Sequence, residues 1–478
     1  MGLFHGEALA ERPPRLPKRT PPKDMKKKSK IKYFVTIVPA VIILAIFGWF
    51  FATIFEGEKP ALSFVPKATF LSHGQEFHLS VKDAKRGIRG VKVSITQEGR
   101  ELTVLEKKFP FRGLMNREGV HSQDESFFID PSELKLAQGR LDIQVQAWDY
   151  SRRGGGDGNM TLLQHRMTVD TIPPSIRAIS RMHNINQGGS CLVIYQASSD
   201  CEKSGVFVNN DFFPGFPAQG KAGEGIQLAY FALPHNGAKD TSIYLWAKDQ
   251  ANNESKRSFN YHIRPKRFRT DRIKITDRFL DAILPYFASY AFSPEDTDVD
   301  KYIKINKELR KENHQVLLQL DKRIGPERSW EGSWLRLKNA ATMARYGDKR
   351  LYFYKGKKID EQFHLGVDLA SLANSPVMAA NGGRIVFAEK LGIYGLAVVI
   401  DHGQGLTSLY AHLSNIAVSS DQTVKKGDVI GQTGRTGLAA GDHLHFSVMV
   451  HGVPVNPIEW WDDHWIQDNV MRKLALLQ

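Results

Sequence analysis

Three short pieces in the last third of the chain hold residue types that can do hydrolytic chemistry together. They are His364-Leu365-Gly366-Val367-Asp368, Tyr410-Ala411-His412-Leu413-Ser414 and His443-Leu444-His445-Phe446. Sixteen histidines are spread over 478 residues, and seven lie between His364 and His464. A catalytic zinc takes three protein ligands from His, Asp, Glu or Cys and leaves one position for water. That water's pKa falls from about 15.7 to about 7, which supplies a nucleophile at neutral pH. A nearby base must then take the proton and pass it to the leaving amine. Read as strands, whose side chains alternate faces, the pieces set His364, Gly366 and Asp368 on one face and His443 beside His445. Gly366 removes a side chain between two ligands. By the same alternation Tyr410 and His412 point to the groove, and Leu409, Ala411 and Leu413 point into a core. An i, i+2 histidine pair can put both rings on a metal, or one on it and one beside it. Spacing alone leaves that choice open.

HxxxD, then YxH, then HxH about 75 residues after the first motif, resembles the lysostaphin-type (LytM-like) zinc endopeptidases that cut peptidoglycan peptides. The match continues through Gly382-Gly383, Ile400-Asp401-His402-Gly403, Val424-Lys425-Lys426-Gly427-Asp428, Gly431-Gln432-Thr433-Gly434 and Asn456-Pro457, covering about 130 residues from Leu335 to Trp465. The resemblance implies an antiparallel β domain in which His364, Asp368 and His445 bind one Zn2+. It further implies that His412 and His443 hold the water and stabilise the tetrahedral intermediate, with Tyr394 near the oxyanion. Leu396, two residues on, is often polar in relatives. Every metal-binding and water-holding position is filled here, whereas several relatives are inactive regulators that lack ligands. His402 reads as structural, Asp401 and Asp442 as turn residues, and His451 and His464 lie outside the motifs.

These pieces need a scaffold and a location. Tyr33 to Phe55 is a run of 23 residues without a charge, and as a helix it is about 34 Å long, enough for a bilayer core of about 30 Å. Ten Lys/Arg precede it within residues 1–32, and Glu56, Glu58 and Lys59 follow it. The positive-inside rule therefore places a basic tail, residues 1–32, in the cytoplasm, residues 33–55 in the membrane and the remainder across it. No small-residue cleavage site follows the apolar run.

Residues 60–172 and 173–265 read as two immunoglobulin-like β-sandwich spacers, with period-two segments at Glu76–Val81, Val91–Gln97, Leu141–Trp148, Ser242–Lys248 and Ser258–Ile263. Each region carries a strand ending in an Asp-led turn, at Trp148-Asp149 and at Lys248-Asp249. Residues 266–333 read as a helical linker or regulatory segment. One helix is expected from Thr276 to about Ala288 and another opens at Ser293-Pro294-Glu295 and runs to Gly325-Pro326. A segment so placed can lie near the groove and regulate access to it. Residues 334–466 form the metallopeptidase domain, and 467–478 a tail. Cys191 and Cys201, across the membrane, read equally as a short-loop disulfide or as two buried thiols.

The formal charge of +14 suggests nucleic acid until its location is considered. Residues 1–32 carry a net +7 and residues 264–278 a net +5, while the chain from Leu351 onward is −2. The second basic stretch reads as a solvated linker or as a contact for anionic lipid or wall polymer. The expectation is thus a mainly β, single-pass inner-membrane zinc metalloendopeptidase whose catalytic domain lies in the periplasm or outside the cell. Its substrate is the peptide of peptidoglycan, envelope protein partners would bind through the β or helical segments, and no nucleic acid is involved. The alternatives are a catalytically silent activator of another cell-wall hydrolase and an envelope protease directed at proteins.

Overall fold

The computed structural model describes residues 29–218 and 225–477, with side chains from Phe34 onward, so the side chains of the expected basic tail lie outside the described residues. Helix α1 runs Ser29–Ile54 with Pro39 inside it. Its Phe34–Ile54 stretch is long and apolar enough to cross a membrane, and none of it is buried. Its end is tied to a loop of the first β region: the Arg152 N–H donates to Ile54 O at 2.9 Å, and Ser151 Oγ donates to Glu56 O at 2.8 Å.

The chain divides into two compact units, Met1–Val169 and Asp170–Gln478. In the first, a three-stranded sheet (Ala61–Val65, Gln75–Lys82, Ser122–Ile129) and a five-stranded sheet enclose one core. The reason is visible in Gly139–Asp149, where every second residue from Leu141 to Asp149 is buried, as a half-buried strand requires. Phe64 and Phe77 stack in that core with Val93 and Ile143.

In the second unit the chain from Ile176 to Arg264 forms two four-stranded sheets and a two-stranded one. Ser258–Ile263, expected as one strand, is two: Glu254–Ser258 and Tyr261–Arg264, the latter pairing in parallel with His183–Asn186. The Asp-led turns share one device. Buried Asp149 accepts from the Asn159 N–H and Nδ2, and buried Asp249 accepts from the Asn253 N–H and Nδ2. One asparagine thereby closes each loop. Cys191 and Cys201 are free thiols, the first buried and the second only half-buried.

The basic stretch is not a free linker. Thr270–Ile275 is a strand, paired in parallel with Lys349–Tyr354, which forms a hairpin with Lys357–Phe363. Helix α2 covers only Asp277–Ile283 and gives way to a 3-10 turn at Leu284–Phe287. Ser293-Pro294-Glu295 does not open a helix. Helix α3, Asp298–Lys304, starts where it does because Thr297 and Asp300 form a capping box that satisfies two free N–H groups at once. A π-turn at Ile305–Leu309 leads into helix α4, Arg310–Leu320.

The C-terminal domain is built on an eight-stranded sheet. At its centre Val367–Ala370, Leu444–Val450, Leu406–Leu413, Leu396–Gly403 and Gly383–Lys390 lie side by side, all antiparallel. One face, with Val367, Tyr410, Phe446 and Val448, joins a core shared with the preceding β region through Trp330, Trp334, Trp460 and Tyr230. The other face, with Leu409, Ala411 and Met449, packs under Leu317 and Leu320 of α4.

Candidate active site

Asp368 stands directly opposite His445 on neighbouring strands, and Ala411 opposite His445 on the other side. Side chains paired this way share a face, so Asp368 and His445 project together toward the helical segment. His364 precedes the strand Val367–Ala370 rather than lying in it, and its backbone is fixed by Asp348 and Gly347. Its ring nevertheless closes on the pair. His364 Nε2 lies 2.8 Å from Asp368 Oδ1 and 3.0 Å from His445 Nδ1, and His445 Nδ1 lies 2.9 Å from the same Oδ1.

Each ring is oriented by what holds its other nitrogen. His364 Nδ1 faces Arg345 O at 3.1 Å, His412 Nδ1 faces Thr436 O at 2.8 Å, and His443 Nδ1 faces Gly441 O at 2.9 Å. A carbonyl only accepts, so these nitrogens carry a proton, and it is Nε2 that presents the lone pair in the neutral ring. For His445 the roles reverse. Ser447 Oγ gives its hydrogen to Leu365 O at 2.8 Å, so it accepts from His445 Nε2 at 3.0 Å and leaves Nδ1 bare.

Electrostatics favours the same state. Burial raises the Asp368 carboxyl, but the adjacent His364 and His445 overcome this and hold it well below the usual carboxylate range. Burial lowers His445 to about 4. Burial, then the neighbouring His443 and His445 rings, holds His412 well below a normal imidazole. Asp368 is thus a carboxylate and the His412 and His445 rings favour the neutral form, as metal binding demands. The three donor atoms at His364, Asp368 and His445 lie within 4.8 Å of one another. A zinc tetrahedron with ligands at about 2.0–2.1 Å has an edge of about 3.3 Å, so the observed separations fit one ion after a shift of a few tenths of an ångström.

His412 reaches the site against the strand's alternation. Tyr410 does not face the groove as expected: it lies in the opposite core, 5.2 Å from the Phe446 ring centroid, its hydroxyl accepting from the Ala380 N–H. Ala411, expected in a core away from the groove, lies on the site's face. Strict alternation would send His412 away with Tyr410. Instead Leu396 pairs with Leu413 and Val398 with Tyr410, so Ala397 alone faces Ala411 and His412. This bulge, with His412 at φ 63°, turns the ring back, 4.8 Å from His443 and 5.9 Å from His445. Bulges re-aim side chains in this way beside active sites.

Tyr394, in the 3-10 turn Gly392–Tyr394, has its ring 5.7 Å from His445, and burial pushes its phenol up. His402 is buried away from the cluster on Gly382 O and Ser408 Oγ, and His451 pairs with Asp321. Asp401 accepts from the Gly403 and Gly325 N–H groups and Asp442 from the Asn374 N–H.

Sequence reasoning missed three contributors. Arg350 Nη2 donates to Asp368 Oδ2 at 2.8 Å, leaving Oδ1 for the cluster, and nothing local to Arg350 announces this. Ser447 was within reach, since the i, i+2 step from His443 to His445 continues to it. Arg310 stands on α4. With Ile273, Lys274, Phe279 and Tyr302 it completes the wall of a cavity of about 350 Å³ that contains the cluster. The helical segment therefore lies against the groove. His364, Asp368, His412 and His445 are only 5–8% exposed.

Residues 362–457 match the model of peptidase family M23. Over 97 residues the chain is 42% identical to the DD-carboxypeptidase/endopeptidase Mpg of Neisseria meningitidis serogroup B, covering 20% of this chain and 22% of that protein. It is 38% identical over 96 residues to the peptidoglycan DD-endopeptidase ShyA of Vibrio cholerae serotype O1, covering 20% and 22%. The catalytic domain of the antimicrobial peptidase lysostaphin from Staphylococcus simulans is 30% identical, with a TM-score of 0.24, over 27% of this chain and 98% of that one. The match spans only about a fifth of the length of these curated relatives. The segment that carries His364, Asp368, His412, His443 and His445 is thus a peptidase family M23 domain.

Proposed function

We propose that this protein is a membrane-anchored zinc endopeptidase that hydrolyses peptide bonds of peptidoglycan. The observation that carries the reading is the convergence of His364 Nε2, Asp368 Oδ1 and His445 Nδ1, each group oriented from behind, by Arg345 O, Arg350 and Ser447 in turn. These three atoms would hold one zinc ion. When bound, the ion supplies a Lewis acid and a water acidic enough to act at neutral pH. His412 Nε2 and His443 Nε2 take up the proton and return it to the leaving amine. The Tyr394 hydroxyl donates to the developing oxyanion.

Apolar α1 supports a single span of the inner membrane, and the charge asymmetry around it supports a cytoplasmic N-terminus with the rest of the chain periplasmic or extracellular. The two β regions, residues 60–172 and 173–265, serve as immunoglobulin-like spacers, residues 266–333 as a wall of the groove and residues 334–466 as the catalytic domain. Envelope partners would dock on the β or helical segments. The silent-adaptor alternative is disfavoured, because no ligand position is vacated by substitution. The test is release of muropeptides from purified sacculi. His364→Ala or Asp368→Ala is expected to reduce it at least a hundredfold, as is a chelator, without loss of folded protein. Undiminished release by either variant overturns the reading.

A further inference from the structure

Three cations line the cavity that holds the cluster, Lys274, Arg310 and Arg350, against a single carboxylate, Asp368. Arg350 is committed to Asp368 Oδ2. Arg310 is not neutralised. Its backbone N–H reaches back five residues to Ile305 O as the π-turn ends. Its Nε donates to Asn306 O at 3.0 Å and its Nη2 to Asn306 Oδ1 at 2.7 Å. Asn306 is itself fully buried and pinned, its Nδ2 donating to Asp360 Oδ2 at 2.6 Å. Two neutral acceptors thus hold the guanidinium in one orientation, and among the described residues no carboxylate pairs with it. Lys274, on the strand Thr270–Ile275, likewise has no ion pair among the described residues. Burial raises the Tyr302 phenol, Tyr352 and Asp360 add to that rise, and Arg310 and Arg350 act against it, which places both cations around one ring of the wall; the nearby Asp360 is itself paired with Lys307 at 3.4 Å.

A half-buried arginine is ordinarily paired. One fixed by neutral groups and left facing a cavity is prepared for an anion that arrives with a ligand, and its planar fork suits a carboxylate. π-turns recur at such functional positions. The cavity's 350 Å³ is at the small end of ligand pockets, about 300–1,000 Å³, so it admits a short piece of peptide. We propose that Arg310, assisted by Lys274, is a specificity residue that binds an ionised carboxylate of the substrate close to the scissile bond. The preferred substrates are then peptides with a free carboxylate there, borne either on the chain end or on a side branch. This rests on the peptidase reading above and narrows its substrate class.

The experiment uses the full-length chain in detergent and one synthetic stem peptide in three forms: free carboxyls, a C-terminal carboxamide, and a side-branch carboxamide. With the wild type, one of the two amidations is expected to lower kcat/KM at least tenfold, and the form that loses identifies the carboxylate's source. In Arg310→Ala the ratio between free and amidated forms should fall to within about twofold, and Arg310→Lys should keep part of it. Anisotropy of labelled peptides, measured with chelator present so that nothing is cleaved, should show the same order of affinities. This comparison within the wild type needs no substitution, so a misfolded variant does not remove the test. Equal cleavage and equal binding of all three forms overturns the inference and leaves the peptidase standing. Discrimination that persists undiminished in Arg310→Ala also overturns it. Cleavage of none of the forms overturns both.

Discussion

Ser447 decides which nitrogen of His445 faces the cluster, because its one hydrogen is spent on Leu365 O. Without that hydroxyl, His445 can rotate or change tautomer, and groups placed behind a metal ligand in this way typically contribute 10–100-fold in affinity. Ser447→Ala is therefore expected to weaken zinc binding about tenfold in competition with a chromogenic chelator, with little change in fold. Gly366 acts by what it lacks. A Cβ there would fall on Ser447 Oγ and within 2.6 Å of the His445 ring. Gly366→Ala should thus push His445 off the cluster and leave the purified protein substoichiometric in zinc. His412 stands at φ 63°, an uncommon state for a residue with a Cβ, and the observed bulge explains how the site tolerates it.

Among elements, the α3–π–α4 run carries Tyr302 and Arg310 to the cavity, so its first turn matters to function. Thr297 and Asp300 satisfy the free N–H groups that begin α3. Loss of such a cap costs about 1 kcal/mol. Thr297→Ala is expected to increase hydrogen exchange at residues 298–304 by several-fold while the strand Leu444–Val450 stays protected. The parallel strand Thr270–Ile275 fixes the other side of the cavity, and Arg272 stacks on Phe353 with its Cζ 4.0 Å from the ring centroid. The basic stretch is thus partly used up in the fold.

On the scale of the second unit, Glu459 is buried where the β region meets the C-terminal domain. It accepts from Asn186 Nδ2 at 2.7 Å and from the Ser190 N–H at 2.9 Å. Burial raises its carboxyl to about 7, against an ordinary 4.5. The folded state therefore holds this proton more tightly than the unfolded one, and stability falls as the pH rises from about 4.5 to about 7. The full effect is on the order of 3 kcal/mol. Glu459→Gln is expected to match the wild type near pH 4.5 and to melt several degrees higher at pH 8. Fluorescence of Trp330, Trp334 and Trp460, which pack together nearby, reports the transition. A wild type whose melting is as flat between pH 5 and 8 as the variant's would contradict this.

His364, Asp368 and His445 were legible in the sequence as candidate ligands through the resemblance of their motifs to a known family, since spacing alone left open which ring of the His443 and His445 pair joins the cluster. The apolar run of α1 and the alternation of Gly139–Asp149 were legible because period and length are local properties. Other features depend on which segments become neighbours. Thr270 pairs with Lys349 and Leu396 with Leu413, and no local pattern specifies a partner so far along the chain or a bulge that reverses one side chain. His412 could therefore be named from the sequence while its face was not. Arg350 and Arg310 could not be named at all, since a cation acquires a role only from the charge or cavity that folding sets beside it. Residue types and periods fixed the chemistry available to this chain; long-range strand pairing alone decided which groups share the cavity and what stands opposite them.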